Sequence, residues 1–315
     1  DKRDGIINHV AGVEKSYIDS SDLVLVWDRK VLSNEDIKNH DNVYCIDPAF
    51  FQFIDTKILI ELNNKLCDKE TSHMHYNMSY KNFKDFYNKY LCVKKAFVFG
   101  NGPSLKEGIK RICSDDFKES LRVVCNGSIN NEEIINMIKP NVYVISDVNH
   151  FIYDMQKQMV KIVDYIDNNE CMLFVPNSCY LYMIKKYTHI ESKIVGITED
   201  SLVINFPNPD NPSVLAKAHN VITRFSIPIV SALSSNVIIV GCDGVEIADD
   251  DNKRFEHYSG TASELELEKT NETHKQRNSY FVQHYSYFKE LVDFGESKGI
   301  RYTSLTKSYI PVLKE

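Results

Sequence analysis

The segment Phe97–Leu105 joins a strand, a tight turn and a helix start, and it constrains the fold more than any other part of the chain. Its apolar, β-branched and aromatic beginning predicts a buried strand. Gly100 and Gly102 allow a tight turn, and Pro103 with Ser104 suits the start of a helix. Free N–H groups at a helix start attract anions. The segment therefore predicts an α/β fold and indicates a phosphate-bearing ligand, although such turns also occur without a ligand.

The turn differs from the fingerprint of dinucleotide-binding proteins. The third glycine of the G-x-G-x-x-G pattern is missing, because Leu105 stands there. The next expected strand, 121–125, is followed by Asn126 rather than by the acidic residue that binds a ribose in NAD sites. Since an amide does not repel an anion, the two strand ends together favour an anionic nucleotide over NAD.

From residue 94 onward, expected strands alternate with expected helices. This alternation predicts a Rossmann-like, mostly parallel sheet with helices on both faces. The expected strands are 95–100, 121–125, 141–146, 171–175, 193–196, 236–241 and 300–305, and the expected helices are 105–113, 130–139, 152–167, 179–187, 226–234 and 287–298. Residues 1–93 are expected to form a smaller N-terminal α/β unit with strands at 22–27 and 42–46, helices at 56–66 and 81–91, and a loop at 68–80.

Composition excludes several classes of function. A net charge of -7 over 315 residues argues against nucleic acid as a partner. The chain has no apolar run long enough for a membrane span, and its polar start does not resemble a signal peptide, so a cytoplasmic protein is expected. Peripheral contact with the inner face of the membrane and a homo-oligomer both stay open. The 8 cysteines lack a C-x-x-C pair, which predicts buried free thiols at Cys125, Cys171 and Cys242 rather than zinc.

Polar residues follow the expected strands at the positions where parallel sheets bind their ligands. Each of these residues alone is typical of a turn, but five such positions on one edge favour a binding site. They are Asn101, Asn126, Asp147, Asn177 with Ser178, and Asp243 with Gly244. The charged segment 246–277 is the expected lid over this site.

The order of these motifs resembles the bacterial sialyltransferases of glycosyltransferase family 42 and the related flagellin glycosyltransferases, over about residues 94–310. The motifs that carry the resemblance are Gly100-Asn101-Gly102-Pro103-Ser104-Leu105, Cys125-Asn126, Ser226 at a helix start, Gly241-Cys242-Asp243, and Tyr280 with His284 ahead of the last helix. The resemblance implies a sialyltransferase-like variant of the GT-A fold, with a catalytic domain at 94–315. It also implies inverting transfer of sialic acid or a related nonulosonic acid from a CMP-activated donor to a saccharide or glycolipid acceptor. Such a reaction serves the synthesis of lipopolysaccharide or capsule and needs no metal or other cofactor.

The resemblance also assigns roles to individual residues. It makes His284 the general base, places Asn101, Asn126 and Ser226 on CMP, and places Asp243 on the ribose. An imidazole with a pKa of about 6.5 can accept a proton at neutral pH, although a histidine on an aromatic face also serves packing. The expected catalytic residues are His284, Tyr258 and Tyr280. The expected donor-binding residues are Gly100, Asn101, Gly102, Pro103, Ser104, Asn126, Asp147, Asn177, Ser178, Arg224, Ser226, Asp243 and Gly244.

The chain departs from the family at three positions. Asp147 replaces an asparagine, Val245 replaces a phosphate-binding tyrosine, and Arg224 is offset from the catalytic-pocket arginine. These departures leave three alternatives. The first is a transferase that uses a nucleotide-diphosphate sugar and a metal held by Asp147 or by Asp249–Asp251. The others are a pterin pyrophosphokinase and a non-catalytic nucleotide-binding scaffold.

Overall fold

The structure is a computed structural model that describes residues 18–20, 24–26, 42–45, 60, 64, 66–146, 156–215, 220–246 and 278–314. The chain divides into two compact units, Asp1–Ile58 and Leu59–Glu315. In the first unit, strand β1 (Val24–Val26) pairs in parallel with β2 (Val43–Cys45), which confirms the two strands expected there.

The second unit contains one sheet of eight strands, all parallel, which confirms the predicted α/β class. The strands are β3 (Lys95–Phe99), β4 (Ser120–Cys125), β5 (Val142–Val144), β6 (Met172–Pro176), β7 (Ile194–Ser201), β8 (Ser213–Leu215), β9 (Asn236–Val240) and β10 (Arg301–Ser304). Their order across the sheet is β10-β9-β3-β4-β5-β6-β7-β8. The chain therefore adds strands on one side of β3 and then returns to its other side with β9.

Helices cover both faces of this sheet. The helices are α1 (Lys69–Tyr90), α2 (Leu105–Lys110), α3 (Ser114–Lys118), α4 (Glu132–Ile138), α5 (Gln156–Asn168), α6 (Asn177–Lys186), α7 (Ile227–Ser231) and α8 (Asn278–Ser297). Alternate residues of each strand point to opposite faces. In β3, Ala96 and Val98 pack with α1, α7 and α8, whereas Phe97 and Phe99 pack with α2, α4, α5 and α6. Burial of both faces explains why these strands read as nearly continuous apolar runs.

Helix α1 corrects two expectations about the N-terminal region. The loop expected at 68–80 is wrong, because a single helix runs from Lys69 to Tyr90 after Asp68, whose Oδ1 accepts the N–H of Thr71 at 2.8 Å. This helix packs on the sheet of the second unit, through Phe83 and Phe86. The unit boundary expected at residue 93 therefore lies earlier in the structure, between residues 58 and 59. The helical period escaped detection because the buried stripe of α1 includes the polar residues Ser79 and Asn82.

These two polar residues cover the outer side of β7. The carbonyl of Ile194 and the N–H of Gly196 point away from β6 and would otherwise be left without partners. Asn82 Nδ2 donates to the carbonyl oxygens of Glu191 and Ile194 at 2.8 and 2.9 Å. Ser79 Oγ accepts the N–H of Gly196 at 2.9 Å. Helix α1 thus takes the place of a neighbouring strand along the first half of β7.

We expect Asn82→Ala to lower the free energy of unfolding by about 2 kcal/mol, because it leaves the carbonyl of Ile194 buried without the donor that Asn82 supplies. Asn169→Ala is the matched control, since Asn169 Nδ2 also donates to a carbonyl, that of Tyr165, but on an exposed surface. The control is expected to cost less than about 0.5 kcal/mol. Urea unfolding monitored by circular dichroism measures both values, and equal losses in the two variants would contradict this role of Asn82.

Other elements differ from expectation in extent. Strand β7 continues to Ser201, and β8 was not expected from the sequence. Helix α8 begins at Asn278 rather than at residue 287, while Gly299 ends it as predicted. Residues 60, 64 and 66, the only described part of the helix expected at 56–66, are helical. Among the described residues, no helix combines the length and apolar character required to cross a membrane.

Candidate functional site

The sheet order brings three strand ends together at one place. β9 and β4 flank β3, and the chain leaves β3 toward one side of the sheet and returns with β9 on the other. Such a reversal opens a crevice at the carboxyl ends of the strands, where parallel α/β sheets bind their ligands. We call this end of the sheet the carboxyl edge. Asn101 follows β3, Asn126 follows β4 and Asp243 follows β9, so the structure gathers these three predicted residues there.

The backbone of the glycine turn bonds to the end of β9. Gly100 N–H donates to the carbonyl of Val240 at 2.8 Å, and Gly102 N–H donates to that of Gly241 at 2.8 Å. The glycines permit this approach. A Cβ on Gly100 would lie 2.6 Å from the carbonyl oxygen of Gly241, and a Cβ on Gly102 would lie 2.6 Å from the same atom. Both glycines are therefore explained by the contact between two strand ends, without a ligand.

The carboxylate of Asp243 occupies the helix start that the sequence analysis assigned to a phosphate. Its Oδ2 accepts the N–H of Ser104 at 3.1 Å, while Pro103 is exposed beside it. Helix α2, which begins at Leu105, has only six residues. The free N–H groups expected at Gly102 and Ser104 are thus already bonded, and the nearby negative charge disfavours a phosphate at this point. Ligand recognition at the carboxyl edge depends instead on side chains.

Asn101 lies across the ends of β3 and β4. Its Nδ2 donates to the carbonyl of Cys125 at 3.3 Å, and its Oδ1 accepts from Ser128 Oγ at 2.7 Å. Asn126, the first residue of a 3₁₀ turn that ends at Asn130, has a φ of 45°. This left-handed conformation is uncommon outside glycine and is best tolerated by asparagine. The two asparagines therefore follow the ends of neighbouring strands.

Four buried polar atoms without hydrogen-bond partners belong to elements that begin at the carboxyl edge. Folded proteins satisfy nearly all buried polar groups, so each exception calls for an explanation such as a ligand or a water. Within the described part of the chain, these atoms include Ser104 Oγ, Asn126 Oδ1, Gln158 Nε2 and Ser226 Oγ. The first two follow β3 and β4. Gln158 belongs to the first turn of α5, which packs against the 3₁₀ turn that begins at Asn126.

Ser226 stands at the start of α7, as the sequence predicted, and is fully buried. It ends a π-helical turn, Ile222–Ser226, in which the N–H of Ile227 donates to the carbonyl of Ile222, five residues back. π-helical turns are rare and occur frequently at functional sites. Helix α7 ends just before the start of β9, so the first residue of α7 lies at the opposite end of the sheet, which is the carboxyl edge. The π turn also contacts β4, the strand that Asn126 follows.

Arg224, on the same turn, forms an ion pair with Glu199 of β7. Burial raises the pKa of the Glu199 carboxyl, and the positive charge of Arg224 lowers it in part. Both side chains are mostly buried, and a buried charge without a partner is costly. The ion pair therefore lets each side chain neutralise the charge of the other. The predicted donor-binding role of Arg224 therefore competes with a structural role, which is to join the π turn to β7.

His284 lies inside α8 rather than ahead of the last helix, as does the backbone of Tyr280. The His284 side chain is only 6% exposed and packs near the rings of Tyr285 and Phe288. The hydroxyl of Tyr285 donates to the carbonyl of Val245 and accepts its N–H, at 2.6 Å each. Since Val245 lies two residues after Asp243, the beginning of α8 adjoins the end of β9. This contact brings His284 toward the carboxyl edge and also gives it a packing role.

Three further predicted residues, Asn177, Ser178 and Gly244, either lie away from the end of β3 or are explained by packing. Asn177 and Ser178 begin α6 after β6, which is three strands from β3, or roughly 14 Å along the sheet. A Cβ on Gly196 would lie 2.7 Å from Asn177 Oδ1, so Asn177 packs against β7. A Cβ on Gly244 would lie 2.7 Å from Ile310 and 2.8 Å from the Tyr285 hydroxyl. The structure does not bring Asn177 and Ser178 together with Asn101, and it explains Gly244 by close packing.

The predicted buried thiols are confirmed at Cys125, Cys171 and Cys242. Burial raises the pKa of the Cys125 thiol to about 12, and it raises the pKa of Cys242 as well. Both thiols beside the glycine turn are therefore protonated at neutral pH. Since the thiolate is the nucleophilic form, neither cysteine is suited to covalent catalysis.

Several predicted residues lie outside the described residues. They are Asp147, Tyr258, the rival histidines His257 and His274, Asp249–Asp251, the lid segment beyond Glu246 and the side chain of Tyr280. Within the described ranges, no three His, Cys, Asp or Glu side chains are grouped so that they could hold a metal ion.

Sequence reasoning missed the residues that support the two asparagines. Ser128 and Tyr143 bond directly to Asn101 and to the turn of Asn126, and Gln158 contributes an unpartnered amide. Ser128 follows the Asn126-Gly127 pair closely and could have been noticed as a turn residue. Tyr143 reads only as part of an apolar strand, so its contact could not be anticipated.

Comparisons of this chain with known protein families, curated sequences and solved structures find no match. The topology and the strand-end residues together describe an α/β protein with a candidate ligand site at the reversal point of a parallel sheet.

Proposed function

We propose that the chain is an inverting glycosyltransferase that uses a CMP-activated sugar. In this proposal it moves sialic acid or a related nonulosonic acid to a saccharide acceptor of a surface glycan. The observation that carries the proposal is the set of buried, unpartnered side-chain atoms at the carboxyl edge, namely those of Ser104, Asn126, Gln158 and Ser226. A ligand rich in hydroxyl, amino and phosphate groups would satisfy them, as a nucleotide does.

Charge at the edge fits the orientation of such a nucleotide. The carboxylate of Asp243 suits the ribose hydroxyls, as acidic residues at strand ends do in other nucleotide sites, and it would repel a phosphate. Asn101 uses one hydrogen of its Nδ2 on the carbonyl of Cys125, which leaves the other for a phosphate or a base oxygen. The ribose would thus lie nearest β9 and the phosphate away from it.

The chemistry of this transfer needs stabilisation of the leaving phosphate and removal of one proton from the acceptor hydroxyl. The neutral imidazole of His284 would take that proton, and CMP would leave with the electrons of the broken glycosidic bond. Amide and hydroxyl donors at the carboxyl edge would stabilise the phosphate as fixed dipoles. The proposal keeps the roles that the resemblance to sialyltransferases implies for Asn101, Asn126, Ser226, Asp243 and His284, and it gives the glycine turn no part in binding the phosphate.

Thermal unfolding with nucleotides tests the proposal. CMP at ten times its dissociation constant should stabilise the fold by about 1.4 kcal/mol and raise the melting temperature by about 3 °C. CDP, UDP and GDP, each with and without Mn²⁺, are the comparison ligands. Stabilisation only by a diphosphate with Mn²⁺ would replace the proposal by a metal-dependent transferase. Stabilisation by a nucleotide without any turnover would favour a non-catalytic nucleotide-binding scaffold, and turnover of a pterin with ATP would favour a pyrophosphokinase. Absence of any nucleotide effect would contradict the proposal.

The variant Asn126→Gly locates the effect at the carboxyl edge. It removes the side chain while glycine accepts the positive φ readily, so the fold should be retained. Lys139→Gly is the matched control, because Lys139 also has a positive φ of 48° but ends α4, away from the site. Stabilisation by CMP should be lost in Asn126→Gly and kept in Lys139→Gly.

A further inference from the structure

Two buried hydroxyl groups hold the turn that carries Asn126. Tyr143, in β5, is completely buried, and its hydroxyl donates to the carbonyl of Asn126. The same oxygen accepts the N–H of Ile129 at 3.0 Å. Burial raises the pKa of Tyr143, so the hydroxyl keeps its proton and its ability to donate. One side chain from the neighbouring strand therefore bonds to both the first and the fourth residue of the turn.

The left-handed backbone of Asn126 depends on such support. A non-glycine residue in this conformation is strained by roughly 1 kcal/mol. Without the Tyr143 hydroxyl, the carbonyl of Asn126 would lose a donor and the N–H of Ile129 would lose an acceptor. The conformation determines where Asn126 Oδ1 lies, and this atom is buried without a partner. Tyr143 thus fixes the position of an unused acceptor.

Ser128 fixes the amide of Asn101 in a comparable way. Its Oγ lies 2.7 Å from Asn101 Oδ1 and 2.7 Å from the carbonyl oxygen of Cys125, although a hydroxyl has only one hydrogen to donate. If the amide were reversed, Asn101 Oδ1 would face the Cys125 carbonyl oxygen, and two acceptors would repel each other. The hydrogen of Ser128 therefore points to Asn101 Oδ1, and one hydrogen of Asn101 Nδ2 stays available as a donor beyond its bond to Cys125.

We propose that Ser128 and Tyr143 are positioning residues that preset Asn101 as a donor and Asn126 as an acceptor for CMP. The inference rests on the proposed function for the identity of the ligand, and on the hydrogen bonds of the turn for the positioning. Neither residue needs to touch the ligand. Their effect is to make the site complementary before binding, so that little ordering remains to be done when CMP arrives.

The variants Ser128→Ala and Tyr143→Phe test the inference. Each removes one buried hydroxyl and keeps the rest of the side chain. The matched controls are Ser231→Ala, which removes a bond to the Tyr302 hydroxyl of 2.8 Å, and Tyr180→Phe, which removes a bond to the His75 carbonyl of 3.0 Å. Each control loses one hydrogen bond of a buried side chain, and Tyr143→Phe loses two. Only Ser128→Ala and Tyr143→Phe lose bonds at the carboxyl edge.

Isothermal titration with CMP gives the decisive comparison. The dissociation constant should rise about tenfold in Ser128→Ala and in Tyr143→Phe, while it should change by less than about twofold in the controls, although all four melt at lower temperatures. Unchanged affinity in both site variants, or an equal loss in the controls, would overturn the inference.

Crystal structures of the two site variants separate this inference from the proposed function. If the inference holds, Asn126 leaves its left-handed conformation in Tyr143→Phe, or the Asn101 side chain shifts from its place beside the Cys125 carbonyl in Ser128→Ala. Asn101 and Asn126 unmoved in both variants would refute the positioning even if CMP binds the wild type. Movement of these amides in a protein that does not bind CMP would refute the proposed function and support the positioning.

Discussion

The variant Gly241→Ala should lose about 2–5 kcal/mol of the free energy of unfolding and all stabilisation by CMP. Gly241 has a φ of 68°, which an L side chain adopts only with strain. A Cβ there would also lie 2.7 Å from the carbonyl oxygen of Gly100 and 3.0 Å from the Cβ of Leu105. The backbone cannot relieve these contacts without moving the end of β9 away from the glycine turn. Asp243 would move with it and leave the N–H of Ser104.

Gly299→Ala is the control for this substitution. Gly299 has a similar φ of 83°, but a Cβ there would meet nothing within 4 Å. Only the backbone strain remains, which costs about 1 kcal/mol, and binding of CMP should be unaffected. Urea unfolding and CMP titration of both variants measure the difference. If the two alanine variants were equally stable, the close contact between the ends of β3 and β9 would not be a determinant of this fold.

Under the proposed function, the variant His284→Phe should reduce the release of CMP from CMP-sialic acid by about 10²- to 10⁴-fold, because it removes the proposed general base. Phenylalanine keeps an aromatic ring beside Tyr285 and Phe288, so the packing of α8 should be retained. The affinity for CMP should change by less than about twofold, since a base that acts on the acceptor contributes little to nucleotide binding. Steady-state kinetics, CMP titration and thermal unfolding together separate catalysis from packing.

His75→Phe is the corresponding control. His75 belongs to α1, and its Nδ1 lies 2.6 Å from Glu191 Oε1. The proposed chemistry does not use His75. Turnover should therefore persist in this variant. Wild-type turnover in His284→Phe would remove His284 as the base, and the buried ring would then be explained by packing alone.

Much of the sheet could be predicted from apolar runs. β3, β4, β6 and β9 are mainly apolar stretches, and none of their predicted bounds differs from the observed one by more than one residue. The prediction failed where burial and polarity do not coincide. Helix α1 buries Ser79 and Asn82 to cover β7, and β8 has only three residues, so neither element has a regular apolar period.

The candidate site was predicted in part. The polar residues after β3, β4 and β9 were found because parallel strands end at one edge of their sheet. The role of the glycine turn was misjudged, since Gly100 and Gly102 approach Gly241 instead of leaving N–H groups for a phosphate. A glycine is required for any close approach, and the sequence does not say whether a ligand or another strand comes near.

The order of amino acids is enough to predict that this chain alternates strands and helices and buries both faces of a parallel sheet, because the period and length of apolar runs are local properties. The return of β9 beside β3, which brings Asp243 to the helix start at Ser104, is visible only in three dimensions. The same holds for the bonds by which Tyr143 and Ser128 hold the two asparagines. These contacts join residues far apart in the chain, and they follow from the order of strands in the sheet, which no local pattern encodes.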